Sequence, residues 1–148
     1  SAGAAFVCWG LLASIEAQPR PQPGLAPGEV IRIVVEALHN RNTPAPNAGI
    51  FTVYQFASPA NRAVTGPYGT FLRRVSHPGF APLFSGHADG YGPVAVAGER
   101  AEQTIRFRVG EGVAWFRFVV SRQTSEQTEG RCTGCWMVDA VIPTRPKP

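Results

Sequence analysis

The chain has 148 residues, 44% of them hydrophobic, and a formal net charge of +4, with a sequence pI near 9.4. That length carries one domain with a real core and is too short for two of ordinary size. The positive balance is almost all arginine, Lys147 being the only lysine among 14 basic residues, and no basic run exceeds the pair Arg73-Arg74, which argues against a nucleic-acid surface.

Residues 1–17 read SAGAAFVCWGLLASIEA and are most apolar over 6–12. The stretch has the shape of a signal-peptide core, but no positive charge precedes it and Ile15 breaks the small-x-small cleavage pattern. It is too short to span a bilayer, which takes roughly 20 apolar residues. Such a segment needs cover, from a groove of its own domain or from a partner or membrane face. The expectation is docking onto a partner through Phe6, Val7, Trp9, Leu11 and Leu12. Residues 18–28 follow with Pro19, Pro21, Pro23 and Pro27, an extended polyproline-like linker that would act as a spacer. The domain proper is expected over residues 29–143, with 144–148 as a tail.

Pro27 as a helix-starting proline and Glu29 in the first turn predict a helix to about Asn40, with Val30, Ile33, Val34, Ala37 and Leu38 on its apolar face. Asn47 is expected to cap a second helix to about Ala57, and Ser58-Pro59 to start a short third one to Val64. Gly66-Pro67-Tyr68-Gly69 reads as a turn, residues 70–76 as one or two helical turns, and Phe80, Leu83 and Phe84 as apolar plugs. The loop HADGYG, residues 87–92, reads as a glycine-containing turn rather than a His87–Asp89 dyad. From there the pattern changes to period two over residues 93–97, 100–109, 113–123 and 131–142, with turn signals at Gly98-Glu99 and Gly110-Glu111-Gly112. The last two runs form a large hairpin. Alternation places Val113, Trp115, Arg117 and Val119 on one face and Ala114, Phe116, Phe118 and Val120 on the other. The predicted fold is α+β, with N-terminal helices packed on a curved antiparallel sheet of about four strands.

The segment FASPANRAVTGPYGTFLRRV, then PGFAPLF, and finally FRFVVSRQTSEQTEGRCTGCWMVDAVIP resemble an uncharacterised family of domains of unknown function found in proteobacteria and in plant and algal plastids. The motifs are F-A-S-P at 56–59 and G-C-W-M-V-D at 134–139, and the resemblance covers residues 29–143. That family is similar to the cone-shaped folds of nuclear transport factor two and ketosteroid isomerase. The resemblance implies a cone fold and a plastid, thylakoid-associated protein, or alternatively one at a bacterial periplasm or membrane surface. It brings no established activity. In enzymes of the wider group a carboxylate or a His/Asp pair inside the cone acts as general base.

Asp139 is the candidate for such a base, because it interrupts an apolar strand and a desolvated carboxylate has a raised pKa. The competing reading is a carboxylate on the solvated face, or one paired with Arg117 or Arg122. Phe116, Phe118 and Trp136 are the candidate pocket residues. Arg106 and Arg108, with Arg117 across from them, either bind an anion or are solvated arginines on an outer face. Cys8, Cys132 and Cys135 cannot make a disulfide framework. Cys132-Thr133-Gly134-Cys135 has the spacing of half a zinc site or a redox pair, but paired histidine ligands are missing and the motif runs into a strand instead of opening a helix, so buried or turn cysteines are expected. No G-x-S-x-G, phosphate loop or metal motif is present, and neither metal nor cofactor is expected. The function expected is a noncatalytic accessory subunit of a larger plastid membrane-associated complex, with protein subunits as partners, a membrane surface as a possible contact and no nucleic acid. The alternative is a small-molecule-binding protein or cone-fold enzyme with Asp139 in its pocket.

Overall fold

In a computed structural model, which describes residues 3–5, 18–124 and 132–145, five helices precede five strands. Helix α1 (Pro27–His39) starts on its proline, and the Glu29 carboxylate accepts the Ala26 backbone N–H at 3.1 Å, tying down the first turn. Helix α2 (Ala48–Phe56) approaches α1 so closely that a Cβ on Gly49 would overlap the Ala37 carbonyl. Asn47 stands at its N-cap as expected, but in the left-handed region, with φ 61°. Its side-chain oxygen accepts from Arg41 at 3.2 Å and bonds no helix N–H.

Helix α3 (Pro59–Thr65) has the expected cap: Ser58 Oγ accepts the Asn61 N–H at 3.1 Å. Helix α4 (Tyr68–Val75) begins inside the stretch expected to be a turn, because Pro67 suits a helix entry as well as a turn and Gly66, at φ 81°, reverses the chain alone. A 3-10 turn, Pro78–Phe80, leads to α5 (Ala81–Ser85), so Leu83 and Phe84 are helical.

The sheet comprises β1 (His87–Tyr91), β2 (Ala95–Ala97), β3 (Arg100–Val109), β4 (Gly112–Arg122) and β5 (Trp136–Thr144). Its order is β1-β3-β4-β5, with β2 also paired to β3, and every pairing is antiparallel. Gly98 and Gly110 supply the positive φ, 61° and 58°, of the turns before and after β3. Three strands lie where period two placed them, and β5 starts later, at Trp136. The segment HADGYG is not a turn: its first five residues form the edge strand β1, with His87 opposite Arg108 and Tyr91 opposite Ile105. A register shift between Ala88 and Gly90 sets Asp89 apart as a bulge residue, which breaks the alternation that would have signalled a strand.

One face of the sheet is the core face. Ile105, Phe107, Phe116, Phe118, Val120 and Val138 pack there against Val30, Ile31, Val34 and Leu38 of α1 and Ile50, Val53 and Phe56 of α2. The opposite face exposes Arg106 and Arg108, and Val113 is 42% exposed, so the faces of β4 are those the alternation assigns. The Pro-rich stretch lies against the domain instead of standing off it. Leu25 packs on the core, Pro23 is the neighbour of Gly134, and the Pro21 carbonyl oxygen is 3.7 Å from Cys132 Sγ. Among the described residues no helix is long and apolar enough to cross a membrane.

Phe118 is 0% exposed at the centre of this packing, whereas Trp115 and Trp136 are half-buried. Phe118→Ala is therefore expected to cost about 3–5 kcal/mol in urea unfolding, and more than Trp115→Ala or Trp136→Ala. A smaller loss at Phe118 than at either tryptophan would contradict this placement of the core.

Candidate functional site

The shape of the molecule changes where the long helices end. Helix α3, PANRAVT, contributes no buried residue, and α4 and α5 contribute only Phe71 and Leu83. Between these three short helices and β5 lies an open groove of about 1050 Å³. Its floor is Leu38, Val53, Phe71, Leu83 and Val138, one wall is Ala60, Asn61, Val64 and Thr65 of α3, and the facing wall comes from α4, the 3-10 turn and Phe84 of α5. Val64 is 72% exposed on the groove wall, although a valine this open forgoes the stabilisation that burial gives.

The α3 wall is tied to β5 at Val138. The Val138 carbonyl oxygen accepts the Ser58 backbone N–H at 2.9 Å and the Asn61 side-chain amide at 3.1 Å, and Ala57 forms a parallel bridge with Val138. On the other side Arg41 lies over the Phe84 ring at 4.5 Å, bracing α5 against the end of α1.

Asp139 is the residue after that anchor and lines the groove. Val119 pairs with Ala140 and Val120 with Val138, so Asp139 is the extra residue of a bulge in β5. Its Oδ1 accepts from Ser121 Oγ at 2.9 Å, and Gln123 Nε2 donates to that same Ser121 oxygen at 3.2 Å. The carboxylate thus faces Ser121, which does not line the groove. Neither arginine proposed as its partner holds it: Arg122 pairs with Glu99 at 2.6 Å, and Arg117 stands opposite Thr104 and Ile142. His77 lines the same groove, but its Nδ1 accepts from Gly79 N–H at 3.0 Å.

The groove is built elsewhere than on the residues expected to shape it. Phe116 and Phe118 are buried in the core, Trp136 packs against it, and none of the three lines the groove. The groove residues that sequence reasoning passed over, Val64, Thr70, Arg73, Arg74 and His77, gave one signal, an apolar valine in an otherwise polar short helix. Phe6, Val7, Trp9, Leu11 and Leu12, expected to dock on a partner, lie outside the described residues, as does Cys8.

Arg106 and Arg108 do hold an anion, and it belongs to the chain. Their Nε atoms donate to Asp89 Oδ1 at 2.8 Å and Oδ2 at 3.1 Å, closing the β1 bulge onto β3. Cys132 and Cys135, expected as buried or turn cysteines, lie in the turn before β5 and are disulfide-bonded across it. The turn closes through Gly134 N–H to the Gln123 carbonyl at 2.7 Å and Gln123 N–H to the Cys135 carbonyl at 2.8 Å, which brings the two sulfurs together. Among the described residues no group of three or more His, Cys, Asp or Glu side chains could hold a metal ion. A second hollow, about 620 Å³, lies between Arg20 and Pro21 of the Pro-rich stretch and Phe51, Tyr54 and Arg62.

Two tests follow from the carboxylates. The hydrogen bond from Arg106, then that from Arg108, holds the Asp89 carboxyl below its ordinary range against an opposing push from desolvation. A depressed folded-state pKa contributes stability above the unfolded value, about pH 4, and loses it as pH falls through the folded value. The stability gap between the parent chain and Asp89→Asn is expected to narrow on acidification below about pH 4; a gap unchanged down to about pH 2 would remove the clamp's role. At the bulge, Asp139→Asn keeps an oxygen acceptor for Ser121 and is expected to cost less than about 1 kcal/mol, whereas Asp139→Ala removes it and is expected to cost about 1–3 kcal/mol. Equal losses in thermal unfolding would mean that the Ser121 bond contributes nothing.

Comparison with protein-family models, with curated proteins and with solved structures finds no match for this chain.

Proposed function

We propose that this is a noncatalytic binding protein that takes an apolar small molecule into the groove between α3, α4, α5 and β5. The observation that carries the reading is the groove itself: about 1050 Å³, open to solvent and walled largely by apolar side chains. Sites for small organic ligands typically occupy about 300–1,000 Å³ and combine apolar lining with a few placed polar groups. A ligand filling even part of this space covers Val64, Phe71, Leu83 and Phe84 together, at roughly 0.8 kcal/mol for each buried CH₂ group. The noncatalytic part of the reading is supported by Asp139, whose carboxylate is engaged by Ser121, a residue outside the groove lining.

The accessory-subunit reading, attachment to a larger plastid complex through residues 6–12, remains a separate proposal. It rests on composition and on the family resemblance, and the groove favours the binding reading over it because the groove is a defined receptor surface.

Ala60 is exposed at the mouth of the groove, so enlarging it obstructs entry without touching the core. A neutral naphthylamine fluorophore is expected to bind the parent chain with one-to-one stoichiometry and blue-shifted emission, and Ala60→Trp is expected to weaken binding about tenfold or more with an unchanged thermal melt. Binding that is undiminished in a folded Ala60→Trp chain would place the ligand elsewhere and sink this function for the groove.

A further inference from the structure

The polar groups around the groove are unequally committed. Asn61 Nδ2 donates to the Val138 carbonyl, Thr65 Oγ1 donates to the Asn61 carbonyl at 3.0 Å, and Ser76 Oγ donates to the Leu72 carbonyl at 2.8 Å. Asp139 accepts from Ser121. These hydrogen bonds stay within the fold and leave those hydroxyl and amide groups less available to a ligand.

Three side chains on the facing wall are differently placed. Arg73 and Arg74 occupy the last turn of α4 and line the groove. Among the described residues neither has a carboxylate within salt-bridge distance, in contrast to Arg106, Arg108 and Arg122. Arg73 is steadied by one bond from its guanidinium to Thr70 Oγ1 at 3.2 Å, which leaves further N–H donors on its fork. His77 follows Arg74 closely, its backbone N–H donating to the Arg74 carbonyl at 3.2 Å. Because His77 Nδ1 accepts the Gly79 N–H, a neutral ring carries its proton on Nε2 and offers a third donor.

We infer that the groove is built for an amphipathic anion, a monomeric molecule with an apolar chain and an anionic head, the chain lying on Phe71, Leu83 and Val138 and the head held by Arg73 and Arg74 with His77 beside them. This deepens the binding reading and rests on it. Two adjacent guanidinium groups with no carboxylate partner among the described residues supply charge-assisted hydrogen bonds to an oxyanion, and a neutral ligand of equal length forgoes them. Among the described residues Asp139 is the only acidic one in the lining, and its bond to Ser121 turns it toward the neighbouring strand. A long-chain carboxylate is the simplest ligand of this chemistry. The same head chemistry on a membrane surface is the competing source, and a groove of about 1050 Å³ floored by the buried Phe71 and Leu83 favours the free monomer.

The test is calorimetric titration of the whole chain with monomeric dodecanoate and with dodecanol, alongside sedimentation with phosphatidylglycerol vesicles. Dodecanoate is expected to bind about tenfold or more tightly than dodecanol. In the double variant Arg73→Gln/Arg74→Gln that ratio is expected to fall to within about twofold, with dodecanol affinity and the thermal melt unchanged. His77→Asn keeps an acceptor for Gly79 N–H and is expected to narrow the ratio by a smaller amount. Dodecanol binding as tightly as dodecanoate, or a ratio that survives in the double variant, overturns the anion assignment and leaves the binding reading standing. Binding of neither ligand sinks both. Vesicle binding without monomer binding overturns the inference in favour of a membrane surface.

Discussion

The carbonyl of Val138 is the constraint on which the groove side of the molecule depends. Its side chain is in the core, so β5 cannot shift there without opening the packing under α1 and α2. Its oxygen accepts from Ser58 and Asn61, so α3, which buries no side chain of its own, is positioned by hydrogen bonds. A helix placed that way can stand over empty space. Were α3 held by a buried leucine or phenylalanine, that side chain would occupy the volume now left open. The bulge at Asp139 follows from the same arrangement, since the extra residue lets β5 satisfy β4 on one edge and the cap of α3 on the other.

The domain therefore has two halves of different character. Over α1 and α2 the sheet is covered by closely interlocked apolar side chains, with Gly49 allowing the helices to touch and Phe107 meeting Phe116 edge-to-face at 5.6 Å. Over α3 to α5 the cover is made of short elements joined by Gly66, Pro67 and Pro78, whose few large apolar residues point to the floor. Rigid packing on one side lets the other side stay open, because the helices that frame the groove are tied to strands and helix ends fixed by the first half. Arg41, reaching from the end of α1 over Phe84, is one such tie.

Long periodic stretches told their structure plainly. Val30, Val34 and Leu38 recur with the helical spacing and are buried as expected, although the structure buries Ile31 and Val35 more deeply than the expected Ile33 and Ala37, and β3 alternates strictly enough to reveal its buried face. What periodicity could not tell is what covers a face. Phe116 and Phe118 lie on the predicted side of β4, yet helices fill the space above them, and the aromatic residues read as pocket are core. The groove residues were illegible for the converse reason: a cavity is set by where short helices stop, and Arg73, Arg74 and His77 look like ordinary solvated side chains in a linear reading. The β1 strand was hidden by its own bulge, since Asp89 and Gly90 belong to turn vocabulary and only the long-range clamp by Arg106 and Arg108 makes them a strand. The Cys132–Cys135 pairing depends on a turn closed by Gln123 from the other arm of the hairpin, which local spacing does not reveal.

An open sheet has two borders, and an unpaired border invites strands from other molecules. Here one border is interrupted: β1 and β2 share the flank of β3 as two short pieces, the first kinked at Asp89 and the second three residues long and wholly exposed. The other border, along β5, is occupied at Val138 by the start of α3 and contains Pro143, which has no N–H to offer an incoming strand. The contact that frames the groove is thus also a barrier to self-assembly. Any change that frees Ser58 from Val138 does more than widen a cavity; it bares the border of a strongly apolar strand, and resistance to fibril formation becomes part of what keeps the groove wall in place.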